Sequence, residues 1–212
     1  MGPLPSGTDH CWIIADLHLL LPHAAADRGV GIGEHLVAVG EAMGRIPHGG
    51  RLILLGDVAG VDPMLFARSM AWLREHAGHL VLEMVEGNHE PSHPMYGGLW
   101  RREEHIWRPV YDAVITRRDQ ARLLHHQGRP ILLSHFPYTG LPWDKPAYDP
   151  WRPVDQGLDL VHGHTHQTEP TVPERPRQVC VSWDAWGGSI PTLAQCVERL
   201  DRAAERTAGQ GG

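Results

Sequence analysis

The sequence predicts an α/β protein whose strands form either one mixed sheet or a packed pair of sheets. Three observations carry that expectation. Apolar runs of strand length recur along the chain, most of them continuous rather than alternating, which suits strands covered on both faces. In the first half they alternate with helical patterns in the order βαβαβ. The second half is richer in strand-length runs and closes on one amphipathic helix.

Taken in order, Cys11–Ala15 is the first strand and Glu34–Arg45 the first helix, with apolar Leu36, Val37, Val39, Ala42 and Met43. Arg51–Leu55 is the next strand. The helix over Asp62–His76 opens with Asp62 as N-cap and Pro63 at the first helical position. Leu80–Val85, Val110–Thr116, Ala121–His125 and Pro130–Ser134 read as strands, with "HHQGRP" as a hairpin turn between the last two. Leu158–Val161 and Gln178–Ser182 complete the strands. Thr192–Glu205 places Leu193, Cys196, Val197 and Leu200 on one helical face. The segment 136–154, "FPYTGLPWDKPAYDPWRPV", has no period and many aromatics. A loop of that length in a compact domain is functional or disordered, and its Trp143, Tyr148 and Trp151 argue for an ordered wall or lid.

At 212 residues, 42% hydrophobic and 21% charged, the chain has the length and composition of one soluble domain, expected over 1–206 with a flexible tail at 207–212. A formal charge of −6 provides no global basic field for nucleic acid or an anionic membrane. Cys11, Cys180 and Cys196 lack CxxC spacing and read as reduced thiols of a cytoplasmic protein. No apolar run reaches membrane-spanning length, and "MGPLPSGTDH" lacks a secretory signal's cationic start. Gly2…Ser6 fits a myristoylation pattern loosely, but the proline after Gly2 speaks against it.

The polar residues at the strand ends point to function. Five apolar runs end in Asp16-Leu17-His18, Gly56-Asp57, Gly87-Asn88-His89-Glu90, Ser134-His135 and His162-Gly163-His164-Thr165-His166. Singly, each is an ordinary strand end or turn. Together they could converge, because ligands in open sheets bind beyond the carboxyl ends of strands. Asp16 and His18, and likewise His164 and His166, stand two apart, so in extended chain each pair projects to one side and can approach one ion. The imidazoles of "HGHTH" repel one another on protonation, and a metal is the usual compensation. Asp, Asn and His ligation without thiolate favours Mn²⁺, Fe, Co²⁺ or Zn²⁺ over Ca²⁺ or Cu(I), and Ni²⁺ also fits.

The order "DLH … GD … GNHE … SH … GHTH" resembles the calcineurin-like metallophosphoesterase superfamily, over Ile13 to His166. More loosely, "CVSWDAWGGSIPTL" resembles the strand–turn–helix ending of its small bacterial and phage members. The resemblance implies a four-layer α/β/β/α sandwich of two mixed sheets flanked by helices. It implies two divalent metal ions, with Mn²⁺ preferred. One would take Asp16, His18, bridging Asp57 and His166; the other would take Asp57, Asn88, His135 and His164. His89 would be the acid beside the phosphate, oriented by Glu90, where the family more often has Asp. Gly87 would let the backbone turn sharply into the site. The implied activity is phosphoesterase, with a phosphodiester of nucleotide or short nucleic-acid type as the expected substrate, hydrolysed by a water activated between the metals. A phosphomonoesterase is the alternative, and a non-catalytic scaffold of the same fold or a structural zinc protein fits less well. His162 is expected to pack or support the site. His23, His48, His76, His79, His93, His105, His125 and His126 are expected to be surface or structural. "WRREEHIWR", Lys145 and Arg152 are candidates for substrate contact.

Overall fold

The computed structural model describes residues 11–209. The opening decapeptide with its Gly2…Ser6 pattern, and residues 210–212, lie outside the described residues. Eight strands and five α-helices follow in chain order: β1 (Cys11–Ile14), α1 (Pro22–Asp27), α2 (Ile32–Gly44), β2 (Arg51–Leu54), α3 (Pro63–His76), β3 (Val81–Val85), α4 (Gly98–Asp112), β4 (Arg117–Asp119), β5 (Ala121–His126), β6 (Arg129–Ser134), β7 (Asp159–His162), β8 (Gln178–Cys180) and α5 (Leu193–Gly209). They form a mixed α/β fold with two four-stranded sheets, ordered β1-β2-β3-β4 and β5-β6-β7-β8.

The pairings β1–β2, β2–β3 and β3–β4 are all parallel. Of the two sheets expected to be mixed, only the second is, through its antiparallel β5–β6 hairpin. Parallel neighbours need long crossovers, and α1 with α2, then α3, then α4 lie inside those connections.

Alternation along the strands divides the core. Ile14, Leu52, Leu54, Leu82 and Met84 pack with Val39, Met43, Phe66, Met70, Trp107 and Tyr111 of α2, α3 and α4. Cys11, Ile13, Ile53 and Leu55 point the other way, to Leu124, Ile131, Leu133, Val161 and Val179 of the second sheet. Leu193, Cys196, Val197 and Leu200 of α5 join this second cluster. The two sheets also meet through backbone: Ala15 N–H donates to the Val181 carbonyl at 2.8 Å, and Trp183 N–H to the Ala15 carbonyl at 3.0 Å.

Three expectations change. Of the apolar run 110–116, read as a strand, residues 110–112 instead end α4 and 113–116 form the turn after it, and the fourth strand begins at Arg117. Trp107 and Tyr111 stand four apart and are both buried in the α-side cluster, so a helical period wins over a short apolar run. Helix α1 had no sequence signal beyond Pro22 at its start. Finally, α5 continues through Gly209, so residues 207–209 are helical rather than tail.

Other signals hold. Asp62 caps α3 by accepting from the N–H groups of Met64 and Leu65 at 3.0 and 2.9 Å. Among the described residues no helix is long and apolar enough to cross a membrane.

Candidate metal centre

Parallel register brings the strand ends to one edge, since Ile14 pairs with Leu54 and Leu54 with Met84. The residues that follow gather in two groups. Asp16, His18 and His166 hold ligand-type atoms within 4.8 Å of one another, as do Asp57, His135 and His164. Asn88 adjoins the second group, its Oδ1 lying 3.0 Å from His135 Nε2 and 2.8 Å from His164 Nδ1.

The backbone that delivers these groups is not extended. Asp16, His18, Asp57, His164 and His166 all have positive φ, between 47° and 70°. Asp and His are among the residues that tolerate this region. Asp16 and His18 still fall in one group, whereas His164 and His166, also expected to pair through extended backbone, go to different groups. Leu17 turns into the core, and Thr165 packs on Cys180.

Glycines make the close approach possible. A Cβ on Gly56 would lie 2.5 Å from His135 Nδ1, and one on Gly87 2.5 Å from Asp57 Oδ1. Gly87 does not have positive φ, so its role is clearance for Asp57 and His135, not the sharp turn expected.

Each histidine held by its outer nitrogen points the other one inward. His135 Nδ1–H donates to the Leu55 carbonyl at 2.9 Å, His164 Nε2–H to Asp144 Oδ1 at 3.1 Å, and His166 Nδ1–H to Asp184 Oδ2 at 3.0 Å. Such outer partners fix tautomer and orientation at metal-binding histidines. The inner nitrogens of His135 and His164 then face an acceptor, Asn88 Oδ1, and that of His166 faces His18 Nε2 at 3.2 Å. Facing lone pairs repel unless a proton or a metal cation lies between them. Asp16 Oδ1, His18 Nδ1 and His89 Nδ1 are moreover buried without a hydrogen-bond partner. An oxygen and nitrogen donor set with such unsatisfied atoms fits divalent first-row cations.

The electrostatics agree. Burial pushes Asp16 up and pulls His18 down to about 3 and His164 to about 4. Burial opposes the charge on His135, yet Asp57 beside it raises its pKa to about 10. Burial likewise works against Asp57, but His135 and its neighbours hold that carboxyl below its usual range. Without a metal, a proton on His135 is what offsets Asp57.

His89 stands at the rim. Its side chain is 33% exposed, with Nε2 3.8 Å from Asp57 Oδ2 and its ring edge-on to His18 at 5.1 Å. Glu90 does not orient it. The fully buried Glu90 carboxylate accepts instead from the backbone N–H groups of Asp57, Val58 and Gly87 at 2.9, 3.0 and 2.7 Å. The carboxylate thus ties the GD loop to the GNHE loop. Its side chain is used up by amides, and among the described residues no hydrogen bond joins it to His89.

The loop 136–154 is an ordered wall. Phe136, Trp143 and Tyr148 have ring centroids 4.9, 6.0 and 5.2 Å from His164, and Trp151 packs on His93 at 4.8 Å. Arg152 is no free substrate contact. It is 6% exposed and paired to Asp144 and Asp149. Lys145 is exposed. In "WRREEHIWR", Trp107 is buried in the core and Arg108 pairs with Glu104 one turn away, which is a solvated helix face. His162 is buried, with Nδ1 bonded to the Gly163 carbonyl at 2.8 Å, a supporting position as expected.

Sequence reasoning missed Asp144, Asp184, Arg28 and His35. Arg28 donates to Asp184, to the Asp16 carbonyl at 2.7 Å and to the Leu17 carbonyl at 3.2 Å, and His35 Nε2 lies 2.7 Å from the same Leu17 oxygen. Asp184 had a usable signal, for it follows an apolar run ("QVCVSW") as the other site residues do. Arg28 and Asp144 had none.

No family model matches the chain. It is 31% identical over 183 residues to the Gene 66 protein of Mycobacterium phage D29, spanning 85% of this chain and 90% of that protein. To the Gene 66 protein of Mycobacterium phage L5 it is 27% identical over 184 residues, or 83% of this chain and 87% of that one. A crystal structure of a protein of unknown function, AQ665 from Aquifex aeolicus, shares the fold with a TM-score of 0.61 at 14% identity, covering 89% of this chain and 97% of the other.

Proposed function

We propose that this chain, which belongs to the same family as the Gene 66 protein of Mycobacterium phage D29, is a two-metal phosphoesterase of the calcineurin-like type that acts preferentially on phosphodiesters. The observation that carries the reading is the pair of adjoining His/Asp groups, with Asp57 between His135 and the rim histidine His89. A four-layer α/β/β/α arrangement is part of the proposal. Its support is the packing of α2–α4 on one face of the first sheet and of the second sheet on the other.

Asp16, His18, Asp57 and His166 would hold one divalent ion; Asp57, Asn88, His135 and His164 would hold the other. Mn²⁺ is the expected metal, with Fe, Zn²⁺, Co²⁺ or Ni²⁺ compatible with the donors. When bound, a pair of such ions supplies charge neutralisation for the phosphoryl group and a water nucleophilic at neutral pH. The residues do the rest. Asp144, Asp184 and the Leu55 carbonyl keep three imidazoles aimed inward. Glu90 fixes the loops that carry Asp57 and Asn88. His89, partly exposed and next to the first group, is positioned to give a proton to the leaving alkoxide. That donation matters most for poor leaving groups, which is why diesters are favoured. The three buried free thiols fit a reducing, cytoplasmic setting.

The test compares bis-p-nitrophenyl phosphate with p-nitrophenyl phosphate, using protein stripped of metal and reloaded with Mn²⁺, with Asp57→Ala as control. Metal-dependent diester turnover that vanishes in Asp57→Ala is the expected result. Monoester turnover alone would indicate a phosphomonoesterase and remove the acid role of His89. No turnover with any metal would indicate a scaffold.

A further inference from the structure

We infer that the alcohol half of the ester is an uncharged, nucleoside-sized group seated in the cleft beside the first metal group, and that a second phosphate is excluded there. The inference rests on the phosphoesterase reading above. A cleft of about 760 Å³ opens from His18, His89 and His166, within the range that encloses small organic ligands. An ester held at those residues has its alcohol beside His89, so this cleft is where that alcohol extends.

The charges lining the cleft decide what fits. Arg28 is the one Lys or Arg among the described residues that line it. Its guanidinium is fully committed: Nε and Nη2 donate to the two Asp184 oxygens at 2.8 and 3.2 Å, and the remaining donors reach the carbonyls of Asp16 and Leu17. Arg28 and Asp184 thus cancel. Asp27 and Glu34 remain, both exposed. Glu34 accepts from the Gly31 N–H at 2.8 Å. His35, kept toward its neutral form by burial, adds no positive charge.

Beyond the rim histidine His89, a phosphate entering this cleft would meet two carboxylates, the imidazole of His23 and no lysine or arginine outside the Arg28–Asp184 pair. The reacting phosphate, by contrast, has the metal groups to itself. Trp183 and the carbons of α1 and α2 supply the apolar surface that an uncharged ring system would bury.

The test uses Mn²⁺-loaded full-length protein and four substrates. They are bis-p-nitrophenyl phosphate, the thymidine dinucleoside monophosphate, and that compound with an added 5′ or an added 3′ phosphate. The added phosphates cover both orientations in the cleft. We expect at least one phosphorylated form to lose about tenfold or more in kcat/KM relative to the parent, the scale of a like-charge penalty near a surface. In the double variant Asp27→Asn/Glu34→Gln that ratio should shrink severalfold, with the Gln still able to accept from Gly31. Equal or faster turnover of both phosphorylated forms would overturn the inference. So would an unmoved ratio in the double variant, or an inert parent dinucleoside while bis-p-nitrophenyl phosphate is cleaved. If wild-type protein fails on bis-p-nitrophenyl phosphate as well, the phosphoesterase reading itself falls.

Discussion

Asp144 belongs to a loop with no candidate ligand of its own, yet it should set the affinity of the second of the two proposed metals. Its Oδ1 accepts from His164 Nε2 at 3.1 Å, while Oδ2 accepts from the Leu141 N–H at 2.8 Å and from Arg152. The loop therefore grips a candidate ligand through one carboxylate. Changing Asp144 to Asn keeps the shape but removes the charge that makes the imidazole a better donor. Outer-shell changes of this kind lower metal affinity about 10- to 100-fold, or roughly 1.4 to 2.7 kcal/mol. The folded state also loses, because Arg152 is 6% exposed. With Asp149 still beside it, the cost is below the roughly 3–5 kcal/mol of a stranded buried charge. Metal content after equilibrium dialysis against graded Mn²⁺ separates these effects. Wild type should titrate to two ions per chain, and Asp144→Asn should need about 10- to 100-fold more Mn²⁺ for the second alone. Asp149→Asn, which touches Arg152 but not His164, serves as control. Identical curves for wild type and Asp144→Asn, or the same shift in Asp149→Asn, would refute the reasoning.

Three other outcomes are expected. Glu90→Ala strands three buried amide N–H groups, which costs at least about 3 kcal/mol and roughly 6 to 12 °C in Tm by calorimetry. It should spare the ratio of diester to monoester turnover, whereas His89→Ala should depress the diester by about 10²–10⁴ and p-nitrophenyl phosphate far less; matching signatures in the two variants would return Glu90 to orienting His89. Burial holds His162 at about 3 and His93 at about 4, so both are neutral in the fold. Their unfolded pKa is about 6.5, so their contribution is present above that pH and is lost as pH falls, at up to about 1.4 kcal/mol per unit for each. Urea midpoints of metal-free protein between pH 7 and 4 should fall accordingly, less steeply in His93→Gln, and a flat profile would contradict the assignment. Burial also raises Cys11 and Cys180 to about 11, and Cys196 further still. Ellman's reagent at pH 8 should find no thiol in the native protein and three after denaturation.

The parts legible in the sequence share a cause. Strand ends announce themselves locally, as an apolar run followed by a polar residue, so Asp16, Asp57, Asn88, His135 and His164 could be picked out without knowing the pairing. The hairpin turn before β6 and the Asp62 cap are equally local. The run over 110–116 was ambiguous, because a short apolar stretch at the end of a helix carries the same composition as a strand. Glu90 was misassigned for a related reason. Proximity in sequence tied it to His89, whereas its partners at Asp57 and Val58 are more than thirty residues away.

What sequence periodicity could not show is how the site is held. Five candidate ligands sit at positive φ, a conformation that disfavours a non-glycine residue by about 1–2 kcal/mol each. Strain of that total persists only where the surroundings over-determine it. Here they do so partly with residues outside the two candidate ligand groups. Arg28 takes the carbonyls of Asp16 and Leu17, and Glu90 takes the amides of Asp57 and Val58. Asp16 Oδ2 accepts from the His164 N–H at 2.9 Å, and Asp57 Oδ1 from the His89 N–H at 2.9 Å. Each carboxylate thus pins the loop that carries a neighbouring imidazole. Asp16 and Asp57 are then structural members of the site as well as candidate ligands, and substituting either should loosen the opposite loop even without metal. Amide exchange in metal-free Asp16→Asn and Asp16→Ala separates the two roles. Ala should speed exchange at the His164 N–H, while Asn, which keeps an acceptor oxygen, should largely preserve its protection.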